Sequence, residues 1–334
     1  MSSQHPTPLW NSKADYMIAT TESECMALLC RLIAVTICIG LILLNPGQFA
    51  HAADAAATDG MAQAEAKPVP APDKSQNTLL NPTPNDQMRP FTPDRPTQAL
   101  TPFTVDAGHF QYESDLFDYT HTNYLGTGTK SYQTADPTLK LGLTNWIDFE
   151  VVLNGYLNSS SHDNLTGALV SNGHGFGDTI FKTKFNVLGN DGGAVALALI
   201  PYLKAPSAAP GLGNGLVEGG LIAPLQINLP QDFTLILQTE LDALKNANSD
   251  RRHANFVNLV NLSHALPFIS KDLSVSVEFL SSVGTDSAIR AVSTFDLGLA
   301  YLIQPNMQLD VGANFGLTKA SPDMNVYTGI SARF

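Results

Sequence analysis

From Thr101 to Phe334 apolar and polar residues alternate in short runs. Between Asp178 and Leu188, Thr179, Phe181, Thr183, Phe185 and Val187 share one side, and Asp178, Lys182, Lys184 and Asn186 share the other. Ile180 alone is out of step. A period of two belongs to a strand, whose successive side chains point to opposite faces. The same alternation sets Ile147, Phe149, Val151 and Leu153 against Asp148, Glu150 and Asn154. It recurs from Met307 to Leu317, with Gln308, Asp310 and Asn314 on the polar side. Marking every such run predicts about twelve strands, centred near residues 110, 137, 151, 182, 198, 222, 238, 259, 277, 297, 312 and 329. The run around 259 has the least cleanly apolar face.

The connections sharpen the prediction. Five are tight: Thr144-Asn145, Gly189-Asn-Asp-Gly-Gly193, Leu229-Pro-Gln-Asp232, Pro267-Phe-Ile-Ser-Lys271 and Gln304-Pro-Asn306. Their residues supply positive φ or preset turn geometry. Longer polar connections near 120–130, 158–175, 205–215, 245–253, 284–289 and 319–324 alternate with them. Short turns at one end and long loops at the other characterise membrane β-barrels.

Periodicity does not say which face is buried, and three further features choose the membrane. Ionisable groups sit at mid-strand on the polar face, Glu150, Lys182, Glu218, Glu240, Glu278 and Asp310 among them. Trp146, Tyr156, Phe176, Phe233 and Tyr301 lie near strand ends, where interfacial girdles form. The chain closes on Val326-Tyr-Thr-Gly-Ile-Ser-Ala-Arg-Phe334, an alternating strand ending in an aromatic. Such an ending resembles the signal read by the barrel-assembly machinery. The fold class expected is therefore all-β, a transmembrane antiparallel barrel over 101–334, with outer-membrane lipid as a partner.

The preceding hundred residues differ. Arg31 is followed by thirteen apolar or small residues, Leu32 to Leu44, then Asn45-Pro46-Gly47 and Phe49-Ala50-His51-Ala52. This reads as a signal peptide over 1–52, too short to span a bilayer, which takes about 20 residues. The polar stretch before Met26 is unlike a signal start, so translation is expected to begin at Met17 or Met26. Residues 53–100 are rich in Ala and Pro, including Lys67-Pro-Val-Pro-Ala-Pro72. They are expected to form a disordered periplasmic linker.

Composition adds limits. The formal charge of −12 argues against nucleic acid as a partner, since binding it needs a basic face. The cysteines, Cys25, Cys30 and Cys38, all precede the expected cleavage site, so neither a disulfide nor a thiolate metal site is expected in the barrel.

Several stretches carry a family resemblance: Thr101-Pro-Phe-Thr-Val-Asp-Ala-Gly-His-Phe-Gln-Tyr-Glu113, Gly175-Phe-Gly-Asp178, Gly189-Asn-Asp-Gly-Gly193, Val217-Glu-Gly-Gly220 and Gly329-Ile-Ser-Ala-Arg-Phe334. Over roughly 90–334 the chain resembles the outer-membrane proteins grouped under the MetA pathway of phenol degradation, often labelled transporters. The resemblance implies a barrel and a role in taking up aromatic or other organic compounds. It supplies no catalytic residues.

Candidate chemistry is then confined to the lumen. Glu113, Lys140, Asp148, Glu150, Asp178, Lys182, Lys184, Glu218, Glu240, Glu278, Asp310 and Arg333 are expected to face inward, with Lys204, either lining a pore or pairing as packing ions. Gly173-His-Gly-Phe-Gly177 is a rim segment rather than a phosphate loop, because it enters a strand and not a helix. No metal spacing is present among the histidines, and no cofactor is expected. Ser263 and His264 are strand neighbours facing opposite ways, which argues against a hydrolase. The function expected is an outer-membrane channel for passive uptake of small solutes. The alternatives are a structural or adhesion barrel with a plugged lumen and, third, a hydrolase.

Overall fold

The computed structural model describes residues 72–334. The signal peptide, its start site and the linker as far as residue 71 lie outside the described residues. Fifteen strands form one antiparallel sheet that closes on itself, with no α-helix among the described residues. They are β1 (Phe110–Tyr124), β2 (Thr127–Thr134), β3 (Asp136–Thr144), β4 (Ile147–Leu153) and β5 (Tyr156–Asp163). Next come β6 (Leu169–Phe176), β7 (Thr179–Leu188), β8 (Val195–Ala205), β9 (Glu218–Asn228) and β10 (Phe233–Lys245). The last are β11 (Arg252–Ala265), β12 (Leu273–Gly284), β13 (Val292–Gln304), β14 (Met307–Gly316) and β15 (Met324–Arg333).

β2 and β3 are two halves of one stave, as are β4 and β5, and β6 and β7, so the wall has twelve staves. Each expected strand centre falls within one of them. The interrupted staves break side by side. Ala135 adopts a positive φ of 54°, and the Gly155 amide donates to Asp136 across the break. The barrel closes where β1 pairs with β15, from Gln111 opposite Arg333 to His121 opposite Met324. Phe334 completes the seam: its amide donates to the Phe110 carbonyl at 2.8 Å, and the two rings stack with centroids 6.2 Å apart.

Two expected loops are in fact strands. Residues 120–130 and 158–175 are mostly upper β1, β2, β5 and β6, joined by turns at Leu125-Gly126 and around Asn164–Ala168. Their alternation is hidden because both faces are polar, as suits a sheet standing in water. Hydroxyl pairs across strands, Thr129 with Ser161 and Ser131 with Ser159, both at 2.9 Å, replace the apolar contrast. The connections over 206–217, 246–251, 285–291 and 317–323 remain irregular.

The exterior is apolar. Phe181, Leu199, Val277, Leu297, Leu299, Leu309 and Val311 are exposed outward, while inward neighbours such as Glu278, Asp296 and Asp310 are buried. A globular protein in water has the opposite arrangement, so the exposed band is a lipid-facing surface. Trp146, Tyr156, Phe176 and Tyr301 are exposed near strand ends. Tyr156 and Phe176 meet edge to face at 5.7 Å.

A second correction concerns residues 72–100. Expected to be disordered, they instead enter the barrel from the end carrying the tight turns, form a loop inside it and return to Ala107 as a plug. The segment has little apolar surface of its own, which is why composition reads as disorder. Its order comes from polar groups matched by the wall.

Arginine placed on the lipid face tests the orientation. Leu297, midway along β13 between Val277 and Ala313, should lose about 2–4 kcal/mol of folding stability on Leu297→Arg. Leu309→Arg, three residues past the tight turn at Pro305-Asn306, should cost less. Reversible unfolding in lipid vesicles measures both, and equal effects would contradict a midplane position for Leu297.

Candidate functional site in the barrel lumen

Of the twelve residues expected in the lumen, eight meet the plug directly or through one neighbour. Asp94, on the plug, is the centre. Its carboxylate lies 2.5 Å from the Lys140 ammonium and 3.2 Å from that of Lys184. It also accepts hydrogen bonds from the Thr101 amide and hydroxyl, each 2.7 Å, which tie the ends of the loop 94–101 together. Lys140 reaches Glu113 at 2.5 Å, and Lys184 reaches Glu150 at 3.4 Å. The Asp94 amide donates to Glu113.

Further round the wall, Arg95 pairs with Asp310 at 2.8 Å and Asp115 at 2.7 Å. Glu278 accepts the amides of Gln98 and Ala99, both at 3.0 Å, and Asp148 accepts that of Val105 at 2.8 Å. Arg333 lies 3.4 Å from Asp106. The remaining four stand clear of these contacts. Asp178 and Glu218 share Lys204, at 3.0 and 2.7 Å, nearer the loop end. Glu240 accepts from Gln238 at 2.6 Å. Lys182 is half-buried and has no ion-pair partner among the described residues. Lys182 and Lys184, read as equivalent from their spacing, are therefore different: one is free beside a cavity and the other is buried in the plug network.

The plug also packs. Ala99 is fully buried against Ile236 and Leu259. Leu100 packs on Ala198, Ile200 and Ile222. These inward apolar residues explain why the pattern around 259 was uneven: the wall is apolar where the tip of the plug touches it. Two glycines permit close approach. A Cβ on Gly298 would lie 2.8 Å from the Pro96 ring, and one on Gly329 would collide with the Arg95 guanidinium. The Tyr327 hydroxyl donates to the Pro96 carbonyl at 2.5 Å.

At the turn end the tight turns do more than reverse the chain. Asn145 accepts from Arg89 at 2.8 Å, and Asp191 lies 3.0 Å from Lys74 and 3.1 Å from Arg89. Asn190 accepts the Thr104 amide. Burial works to raise the Asp191 carboxyl, but hydrogen bonds from Asn145 and Lys74 and the charge of Arg89 hold it below the usual carboxylate range. Lys74, Arg89, Asp94, Arg95 and Asp106 are the functional residues that sequence reasoning missed. The signal available was the set of charges interspersed with prolines in a segment otherwise read by composition.

Two cavities remain beside the plug. One of about 120 Å³ is lined in part by Arg95, Asp115, Asp136, Thr138, Lys140 and Lys182. A smaller one of about 20 Å³ lies toward the turn end, lined in part by Arg89, Phe103, Gln111, Lys140 and Arg333. The Ser263–His264 pair lies elsewhere: His264 stacks on Phe233 at 4.2 Å, at the turn end.

Comparison with a solved outer membrane channel supports the fold. An alignment with the COG4313 outer membrane channel from Pseudomonas putida F1 covers 75% of this chain and 99% of that one, with 13% identity and a TM-score of 0.53. A KdgM porin aligns over 65% of this chain and 98% of its own at 12% identity, TM-score 0.39. The β domain of the Bordetella autotransporter BrkA aligns over 67% and 98% at 9% identity, TM-score 0.44. A search of curated proteins gives no match. A family model described as "Putative MetA-pathway of phenol degradation" matches residues 93–334, the whole barrel with the tip of its plug, and the chain belongs to that family.

Proposed function

We propose that the protein is an outer-membrane channel for passive uptake of small solutes, with aromatic or other organic compounds as the class its family suggests. The observation that carries this reading is the polar cavity beside the plug, because a barrel built only for rigidity gains nothing from unfilled space beside a free lysine. Lys182 is the residue through which the cavity acts on ions. Carboxylates outnumber ammonium groups around it, so Lys182→Gln should move selectivity toward cations without changing folding. Reversal potentials of the purified protein in planar bilayers under a salt gradient measure this. An unchanged reversal potential would remove Lys182 from the route.

The plug favours a second reading, a structural barrel with a closed lumen. Well-folded protein that passes no current and swells no liposomes would establish it over the first.

Assembly is a separate proposal. Phe334 is the residue through which the barrel-assembly machinery engages the last strand, consistent with its place at the closing seam. Deleting it should lower the amount of folded barrel in the outer membrane while leaving export intact. Cell fractionation with heat-dependent gel migration reads the folded fraction, and a normal level would overturn the assignment.

A further inference from the structure

The two cavities reach the same residue from opposite ends, and that residue is Lys140. Along β1 the inward positions run Gln111, Glu113, Asp115, and along β3 they run Lys140, Thr138, Asp136. Gln111 lines the smaller cavity, while Asp115, Asp136 and Thr138 line the larger one. Lys140 meets Glu113 on the wall and Asp94 on the plug between them, each at 2.5 Å, and the Asp94 amide and the Gln111 side chain also donate to Glu113. We propose that solute crosses the barrel along the β1–β3 wall and that Lys140 is the septum closing this route. The proposal rests on the channel reading and names its gate.

The opposite side of the plug is held by its backbone. There Glu278 holds two consecutive backbone amides, Ala99 is packed between Ile236 and Leu259, and Pro96 sits on Gly298. Opening that side means unseating the backbone. On the β1–β3 side a single plug amide, that of Asp94, holds Glu113, and the rest of the closure is made by the end of one flexible side chain. A lysine has a four-carbon stem and rotatable donors, so its ammonium can trade partners without moving the backbone. Glu150, opposite Lys140 on β4 and lining the larger cavity, is the carboxylate it can turn toward. Asp94 keeps Lys184 and the Thr101 amide and hydroxyl when Lys140 leaves. The plug therefore stays seated while the septum opens.

The described residues contain no cysteine, and with Cys25, Cys30 and Cys38 replaced by serine the introduced thiols report their own position. Full-length Lys140→Cys, Thr138→Cys and Ser276→Cys proteins are recorded in planar bilayers, before and after a small anionic methanethiosulfonate reagent is added to either side. Lys140→Cys should conduct several-fold more than wild type, and modification from either side should reduce its current. Thr138→Cys, with the septum intact, should start at the wild-type level and lose current on modification. Ser276→Cys, on the wall behind the plug tip, should not respond. If wild type conducts but neither Lys140→Cys nor Thr138→Cys alters current or reacts, the septum proposal fails and the channel reading stands. If no folded variant and no wild-type protein conducts, the channel reading itself fails. Should Lys140→Cys not fold, as judged by heat-dependent migration, Thr138→Cys decides alone.

Discussion

Charge enclosed by a barrel has to be matched inside it. The lipid-facing side of each stave is apolar, so period two sends the ionisable residues inward, where water is scarce. Two unit charges about 4 Å apart interact by roughly 4 kcal/mol at an effective dielectric near 20, against about 1 kcal/mol in bulk water. The energy of the lumen is therefore set by how its ions are paired. The plug supplies what the wall lacks: Asp94 for Lys140 and Lys184, Arg95 for Asp115 and Asp310, and Asp106 for Arg333.

The other features of the fold follow from that pairing. A segment carrying these charges has to enter to mid-strand depth and return, which is why its ends are fixed at the turn end. Lys74 and Arg89 grip Asp191 there, while Asn145 and Asn190 receive the passing chain. Glycine at 298 and 329 gives the proline and arginine of the tip room against the wall. Apolar residues break the polar face only where Ala99 and Leu100 press on it. Barrel and plug are one electrostatic unit.

Much of this was legible in the sequence. Strand number and the apolar exterior both follow from a single periodicity. The upper staves were not, because Thr129, Ser131, Ser159 and Ser161 alternate hydroxyls with other polar residues and offer no contrast to read. The plug was not, because composition measures what a segment can bury by itself, and this one is ordered by carboxylates and ammonium groups far along the chain. The distance between Arg95 and Asp310 in sequence, or Gln98 and Glu278, has no local signature. A clue was nevertheless present at Ile236 and Leu259, whose apolar side chains on a polar face require something in the lumen to touch. Another lay in Gly189-Asn-Asp-Gly-Gly193, which carries more hydrogen-bonding capacity than a hairpin turn uses.

The same pairing decides how such a barrel can open. Withdrawing the plug would strip Asp115, Asp310 and Arg333 of their ion-pair partners at once. Breaking one buried pair by removing a partner costs about 3–5 kcal/mol, although water entering an emptied lumen would recover part of it. Several such losses together approach the whole stability of an ordinary domain, roughly 5–15 kcal/mol. Turning Lys140 from Glu113 and Asp94 toward Glu150 keeps the ammonium paired, while Glu113 keeps the bonds from the Asp94 amide and Gln111. A lumen whose plug is held by many ions opens most cheaply where a single mobile ion makes the closure, so the charge matching that seats the plug also selects the seam beside it.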